Sequence, residues 1–259
     1  MRRLVLLCSL LLSAPALGAT FERDDRVAMT RPGPDFLPIG IVTGGKGIAY
    51  ATGFLVSNCH VLTVKHAAGR VAHVEGRRMM FRLPFAGPDA ASAGSVVAAG
   101  DLDLVGAPSR LDRSGDWLLV RLDHCLGRRF GSLALSKKSG PLRTSAPAPL
   151  FSAGFPIDQS WRRQLTIDPA CRLRGEPQHL FVHDCSSLPG NSGSPIFTTA
   201  WRNGYASVEV LAMHSTASAS RGVLAFRGED ASVATRMADV LPAISAILAN
   251  GSPPAMASR

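Results

Sequence analysis

The stretch Ser187-Leu188-Pro189-Gly190-Asn191-Ser192-Gly193-Ser194-Pro195 decides how the chain is read, and Ser192 is its centre. Small residues flank the serine on both sides and a proline closes the stretch, a composition that makes a tight, exposed turn. Such a turn can hold Ser192 Oγ outward and aim the backbone N–H groups of Gly190 and Ser192 at one point. Negative charge developing on a carbonyl oxygen would be stabilised there. Gly190 suits the role because a side chain would obstruct the approaching carbonyl. A plain Gly/Ser-rich surface turn has the same composition, so the stretch alone does not decide. The Gly-x-Ser-x-Gly nucleophile elbow is excluded, because position 194 is Ser where that motif needs glycine.

A nucleophilic serine needs a base, and the base needs an orienting carboxylate. The chain ahead of them begins with a removable segment. Arg2-Arg3 precede the apolar run Leu4 to Leu12, and small residues follow through Ala19. This pattern predicts a secretory signal peptide over 1–19, cut after Gly18 or Ala19. The run is shorter than the roughly 20 apolar residues of a membrane span. Cys8 lies inside it and is expected to leave with it, and no other stretch is expected to sit in a membrane.

Apolar residues make up 46% of the chain and charged ones 18%, which excludes a disordered protein. The formal charge is +9, of which Arg2 and Arg3 supply two. The remaining basic residues are scattered and accompany no nucleic-acid motif, so they are read as a solubility feature without a nucleic-acid partner. Cys59, Cys125, Cys171 and Cys185 remain after cleavage. An even count in an exported chain predicts two disulfides with three possible pairings. No Cys-x-x-Cys pair or His-x-x-x-His cluster suggests a metal. No cofactor is expected.

Residues 20–135 read as short strands and turns, including Gly53-Phe54-Leu55-Val56, Val61-Leu62-Thr63-Val64 and Trp117 to Leu122. Residues 136–149 are rich in Ser, Pro, Lys and Gly and read as a linker. A second strand-rich block spans 150–230. It holds Leu150 to Phe155, Leu180 to His183, Pro195 to Thr198 and Val208 to His214. Helical spacing of Met237, Val240, Leu241, Ile244 and Ile247 predicts a helix over 231–249, with a loose tail at 250–259. Two all-β blocks and a closing helix suggest an all-β fold of two six-stranded antiparallel barrels.

Phe54-Leu55-Val56 followed by Val61-Leu62-Thr63-Val64-Lys65-His66 resembles the histidine motif of trypsin-like serine proteases. Asp116-Trp117-Leu118-Leu119 is similar to their aspartate motif, and Gly190-Asn191-Ser192-Gly193-Ser194-Pro195 to their serine motif. More narrowly, the chain resembles the bacterial branch that includes the glutamyl endopeptidases. Asp24-Asp25-Arg26 and Ala153-Gly154-Phe155-Pro156 share that likeness. The resemblance spans roughly residues 21 to 248 and implies the paired-barrel fold. It implies His66 as general base, Asp116 as its orienting partner, Ser192 as nucleophile, and Gly190 and Ser192 as oxyanion donors. His60 and His73 compete with His66, but only His66 follows a strand at the Thr-x-x-His spacing. Asp101, Asp103, Asp112 and Asp123 compete with Asp116, which alone opens an apolar strand. Cys171 is expected to pair with Cys185, closing a short loop into the nucleophile turn. Cys59 is expected to pair with Cys125, tying the turn before the His66 strand to the end of the Asp116 strand.

Departures narrow the likeness. Ala67 follows the histidine where animal trypsins carry a cysteine, and Asn191 stands where they carry the aspartate used in zymogen activation. Ser186 occupies the place of the aspartate that binds Lys or Arg substrates, so that specificity is disfavoured. Ser187 and His214 fall where glutamyl endopeptidases hold a substrate carboxylate, while Thr216, Ala217 and Ser218 depart from the usual wall. The expectation is therefore a secreted or periplasmic, monomeric endopeptidase acting on protein or peptide substrates, after Glu or Asp. The alternative is a catalytically inactive homologue that binds the cell envelope through its basic surface.

Overall fold

The computed structural model describes residues 20–21, 24–44, 50–69, 71, 73–106, 109–138, 150–157, 164–176, 180–202, 205–217, 223–224 and 231–250. The expected signal peptide, most of the expected linker, Ser218 and the tail beyond Asn250 lie outside them. The strands run β1 Thr20–Phe21, β2 Val27–Met29, β3 Ile39–Gly44, β4 Tyr50–Leu55, β5 His60–Thr63, β6 Arg78–Arg82, β7 Ala91–Ala99 and β8 Leu118–Leu122. They continue as β9 Leu150–Gly154, β10 Leu165–Cys171, β11 Leu173–Gly175, β12 Leu180–His183, β13 Pro195–Arg202, β14 Tyr205–Thr216, β15 Val223–Leu224 and β16 Ser232–Arg236. The α-helices are α1 Gly127–Phe130 and α2 Met237–Asn250.

Six strands close into the first barrel in the order β3-β4-β5-β8-β7-β6. Closure removes every free edge, so each backbone polar group in the ladder finds a partner. Val61, Phe81, Leu118 and Val120 share the inward face and are fully buried, each contributing roughly 2 kcal/mol through apolar burial. The second half is an eight-stranded sheet ordered β11-β12-β16-β14-β13-β9-β10-β2. It matches the second half of the expected double barrel, with two short edge strands beyond the six expected. Val27–Met29 from the far N-terminal side adds to the β10 edge, and the short β11 adds to the other. Register shifts in β10, β13 and β14 bend this sheet. The fold is nonetheless mostly β, with one closed barrel, a second curved sheet and a C-terminal helix.

One apolar cluster runs through both halves, joining Phe54 and Leu119 to Phe155, Phe197, Met213 and Val240. The helix begins at Met237, later than expected, because Ser232-Val233-Ala234-Thr235-Arg236 pairs with both β12 and β14. Val233 and Thr235 are β-branched, a preference for extended backbone that overrides the helical spacing starting five residues later. Met237, Val240 and Ile244 then form the buried stripe of α2. Both disulfides take the expected pairing, Cys59–Cys125 and Cys171–Cys185. The first bolts the β4–β5 turn to the segment after β8. The second closes the loop between β10 and the nucleophile turn. Among the described residues no helix is long and apolar enough to cross a membrane.

Candidate active site

The turn carrying Ser192 lies between β12 and β13 and is held by its carbonyl groups. Asn191 N–H donates to the Leu188 carbonyl at 2.9 Å and Ser194 N–H to the Asn191 carbonyl at 2.8 Å. Ile157 N–H donates to the Pro189 carbonyl at 2.9 Å. The Asn191 side chain accepts from Leu188 N–H at 3.0 Å and so braces the turn from within. Gly190 and Gly193 sit at φ +95° and +87°, the left-handed region that glycine enters without steric cost. A Cβ on Gly193 would lie 1.9 Å from the Thr52 carbonyl oxygen, so the close approach of the two barrels also requires glycine there. Ser192 is half-buried at the crest of the turn.

His66 sits on a single 3-10 turn, Lys65–Ala68, directly after β5. Asp116 closes another 3-10 turn, Arg110–Gly115, just before β8. Because β5 and β8 are paired neighbours, their ends bring the two residues together. His66 Nδ1 lies 2.7 Å from Asp116 Oδ2, and His66 N–H donates to Asp116 Oδ1 at 3.0 Å. Ser215 Oγ, from β14 of the other half, donates to Asp116 Oδ2 at 2.5 Å. The Arg113 guanidinium stands 3.5 Å from the same oxygen. Asp116 has no exposed side-chain surface, whereas His66 is 33% exposed. Burial would push the Asp116 carboxyl up, but the charge of the His66 ring and the hydrogen bonds from His66 and Ser215 outweigh it. They hold the carboxyl at about 2.

Among the competitors, His60, Asp103, Asp112 and Asp123 are occupied elsewhere. His60 is buried beside Ser57 Oγ at 2.8 Å and is pushed down by its burial and by the Arg121 charge. His73 is exposed. Asp112 caps its own turn through Ser109, Asp123 pairs with Arg78, and Asp103 accepts from Val105 N–H at 2.8 Å.

Ser186, Ser187 and His214 are all buried. Ser186 N–H donates to Asp168 Oδ2 at 2.6 Å. Asp184, two residues before Ser186, points away into an ion pair with Arg174 at 2.5 Å. Ser187 Oγ is a buried hydroxyl with no hydrogen-bond partner among the described residues. His214 is pushed down to about 3 by burial, aided by the His66 charge and opposed by Asp116. It is therefore neutral in the folded protein above that pH. Its Nδ1 lies 3.2 Å from His183 Nε2, and the two rings meet edge to face. His183 Nδ1 accepts Cys185 N–H at 3.1 Å. A neutral His183 accepting there carries its proton on Nε2 and donates it to His214 Nδ1. The remaining proton of His214 is thereby assigned to its Nε2.

Sequence reasoning missed His183, Arg113 and Thr52 as members of this neighbourhood, and read Ser215 as part of a strand pairing with the substrate backbone rather than as a donor to Asp116. His183 and His214 lie on strands separated by β16, so no spacing links them. Arg113, three residues before Asp116 in a short turn, carried a local signal.

A family model described as a trypsin-like peptidase domain matches residues 43–203. No curated protein matches the chain by sequence. A solved structure of a Glu endopeptidase in complex with MPD is similar at a TM-score of 0.64 and 15% identity. That match covers 89% of this chain and 100% of the other. The inactive form of the Rv3671c protease is similar at a TM-score of 0.50 and 16% identity, covering 84% and 91%.

Proposed function

The chain belongs to the trypsin-like peptidase family, and on that premise we propose that it is a serine endopeptidase with Ser192 as nucleophile, His66 as base and Asp116 as orienting carboxylate. The observation that supports this reading most directly is the buried Asp116 carboxylate, 2.7 Å from His66 Nδ1 and held ionised. A carboxylate so placed keeps the His66 proton on Nδ1, which leaves Nε2 free to accept one. Ser192 Oγ then attacks the scissile carbonyl as its proton passes to His66 Nε2. The oxyanion is received by Gly190 and Ser192 N–H, and His66 returns the proton to the departing amine. Water repeats the sequence, releases the acid and restores Ser192. Two disulfides fit an oxidising compartment, secreted or periplasmic.

The substrate residue on the acyl side of the cut is read as Glu, with Asp second. Ser186 offers no carboxylate to a Lys or Arg. Ser187 Oγ is a buried hydroxyl without a partner among the described residues. The His183 relay leaves His214 with a donor on Nε2. A buried donor set rejects a side chain that leaves it unpaired.

A fluorophosphonate that modifies Ser192, with hydrolysis abolished in Ser192→Ala, is the expected outcome. A wild-type protein that neither labels nor hydrolyses a peptide library would point to the inactive, envelope-binding homologue instead. In the same library, His214→Ala is expected to lower turnover at Glu far more than at Leu or Ala. Preference for apolar residues, unchanged in that variant, would overturn the Glu reading.

A further inference from the structure

Thr52 lies on β4 of the first barrel, fully buried, 140 positions before Ser192 in the chain. Its polar groups are all engaged at the nucleophile turn or at what supports it. Thr52 N–H donates to the Ser192 carbonyl at 2.8 Å. Its hydroxyl donates to the Gly190 carbonyl at 2.8 Å and accepts Phe155 N–H at 2.9 Å. Its carbonyl accepts from Thr63 Oγ1 at 2.7 Å. Thr63 in turn ends the strand that leads into His66.

The hydroxyl matters because of where it grips. An amide carries its C=O and N–H on opposite sides of one rigid plane, so fixing the carbonyl aims the N–H. The Pro189 carbonyl is fixed by Ile157 N–H, which aims Gly190 N–H the other way. The Asn191 carbonyl is fixed by Ser194 N–H, which aims Ser192 N–H. The plane between those two starts at the Gly190 carbonyl. It is fixed at one end by Thr52 Oγ1 and at the other by Asn191 N–H on Leu188. Gly190, at φ +95°, is the joint between the first two planes, and without a side chain it resists rotation least.

We infer that Thr52 is a positioning residue whose hydroxyl holds the Gly190–Asn191 peptide, and with it the two oxyanion donors, in the competent orientation. The inference rests on the proposed roles of Ser192, Gly190 and His66. It adds a residue of the other barrel that touches neither substrate nor the reacting atoms. The backbone bond from Thr52 N–H persists in any variant, so substitution removes the hydroxyl alone.

Thr52→Val keeps the shape and removes both hydroxyl bonds. Loss of one oxyanion donor lowers kcat by about 10²–10³, and misaiming the pair is expected to cost about 10–100-fold. The loss should appear in kcat with KM changed less than about threefold, because the ground-state carbonyl depends less on the donors. Affinity for a peptidyl trifluoromethyl ketone, whose hemiketal oxygen needs the same donors, should fall in parallel with kcat/KM. Thr52→Ser should restore both. Equal kcat in Thr52→Val and wild type would overturn the inference. So would a loss tracking only the unfolded fraction seen by circular dichroism, or a Thr52→Ser variant as impaired as Thr52→Val. A wild-type protein without hydrolysis or labelling at Ser192 would instead overturn the protease reading beneath it.

Discussion

Two buried carboxylates, one in each half of the molecule, behave in opposite ways. Asp116 has no exposed surface and Asp168 is 6% exposed, yet Asp116 is held down at about 2 and Asp168 is pushed up. Burial acts on both in the same direction, so their partners decide. Asp116 meets an imidazole, a hydroxyl, a backbone N–H and a guanidinium. Asp168 is raised by burial, receives Ser186 and Ala170 N–H groups, and faces the negative charges of Asp184 and Asp25. The first is an arrangement for keeping a charge; the second needs only a hydrogen-bond acceptor to hold the Ser186 backbone.

The sharpest way to test that contrast is Asp116→Asn. An amide fills the same space but presents an N–H as well as an oxygen, so His66 is driven toward the wrong tautomer. Steady-state kinetics should show kcat lower by about 10⁴-fold, while thermal unfolding stays cooperative. A variant within tenfold of wild type would mean that the negative charge is not what orients the ring.

Acid unfolding separates the groups next. Asp116 sits below its ordinary 3.8, so its stabilisation is complete above that value and is lost as pH falls toward about 2. His214 sits below its ordinary 6.5, so the unfolded chain takes up a proton that the folded one refuses between pH 6.5 and about 3. Stability should therefore decline on acidification well before Asp116 titrates. By pH 4.5 the His214 contribution amounts to about 3 kcal/mol. Urea titrations at pH 7 and 4.5 should show a smaller decline in His214→Gln than in wild type. Equal declines would mean that the buried ring is not the group responsible.

The smallest effect belongs to Asp168→Asn. Its carboxyl is raised, so the stability linked to it is present at low pH and lost as pH rises through the folded value. The amide oxygen can still accept Ser186 N–H, and the charge is gone. Urea unfolding should show this variant equal to wild type at pH 4. At pH 8 it should be more stable by about 1 kcal/mol or less. Hydrolysis should stay within threefold. A large loss of activity would show that the Asp168 charge reaches the substrate side.

The same contrast explains what the sequence makes legible. His66, Asp116 and Ser192 each stand at the end or start of a strand within a few residues of their motif, so local pattern points to all three. β8, with Leu118-Leu119-Val120, is visible for the same reason. β7 is not, because Ala91 to Ala99 is built of small residues with weak strand preference. β6 alternates charged and apolar residues, Arg78-Met79-Met80-Phe81-Arg82, and its burial alternates with them. That signal was there to be read. The two added strands of the second sheet, and the partners Ser215, Thr52 and His183, depend on which strands become neighbours. Pairing of β16 between β12 and β14 is what carries His183 to His214, and nothing within either strand foretells it.

The bond from Ser215 to Asp116 also has a meaning in time. A chain is made from its N terminus, and the first barrel, with His66 and Asp116, is complete nearly a hundred residues before Ser215 emerges. Until then one acceptor bond of Asp116 has no donor from the second half, and the serine turn has not yet been synthesised. The Thr52 grip on Gly190 waits for the same event. The Ser215 and Thr52 bonds both cross between the two halves, so a chain that stops short of Ser215 has His66 beside Asp116 without the donor that the second half brings to that carboxylate.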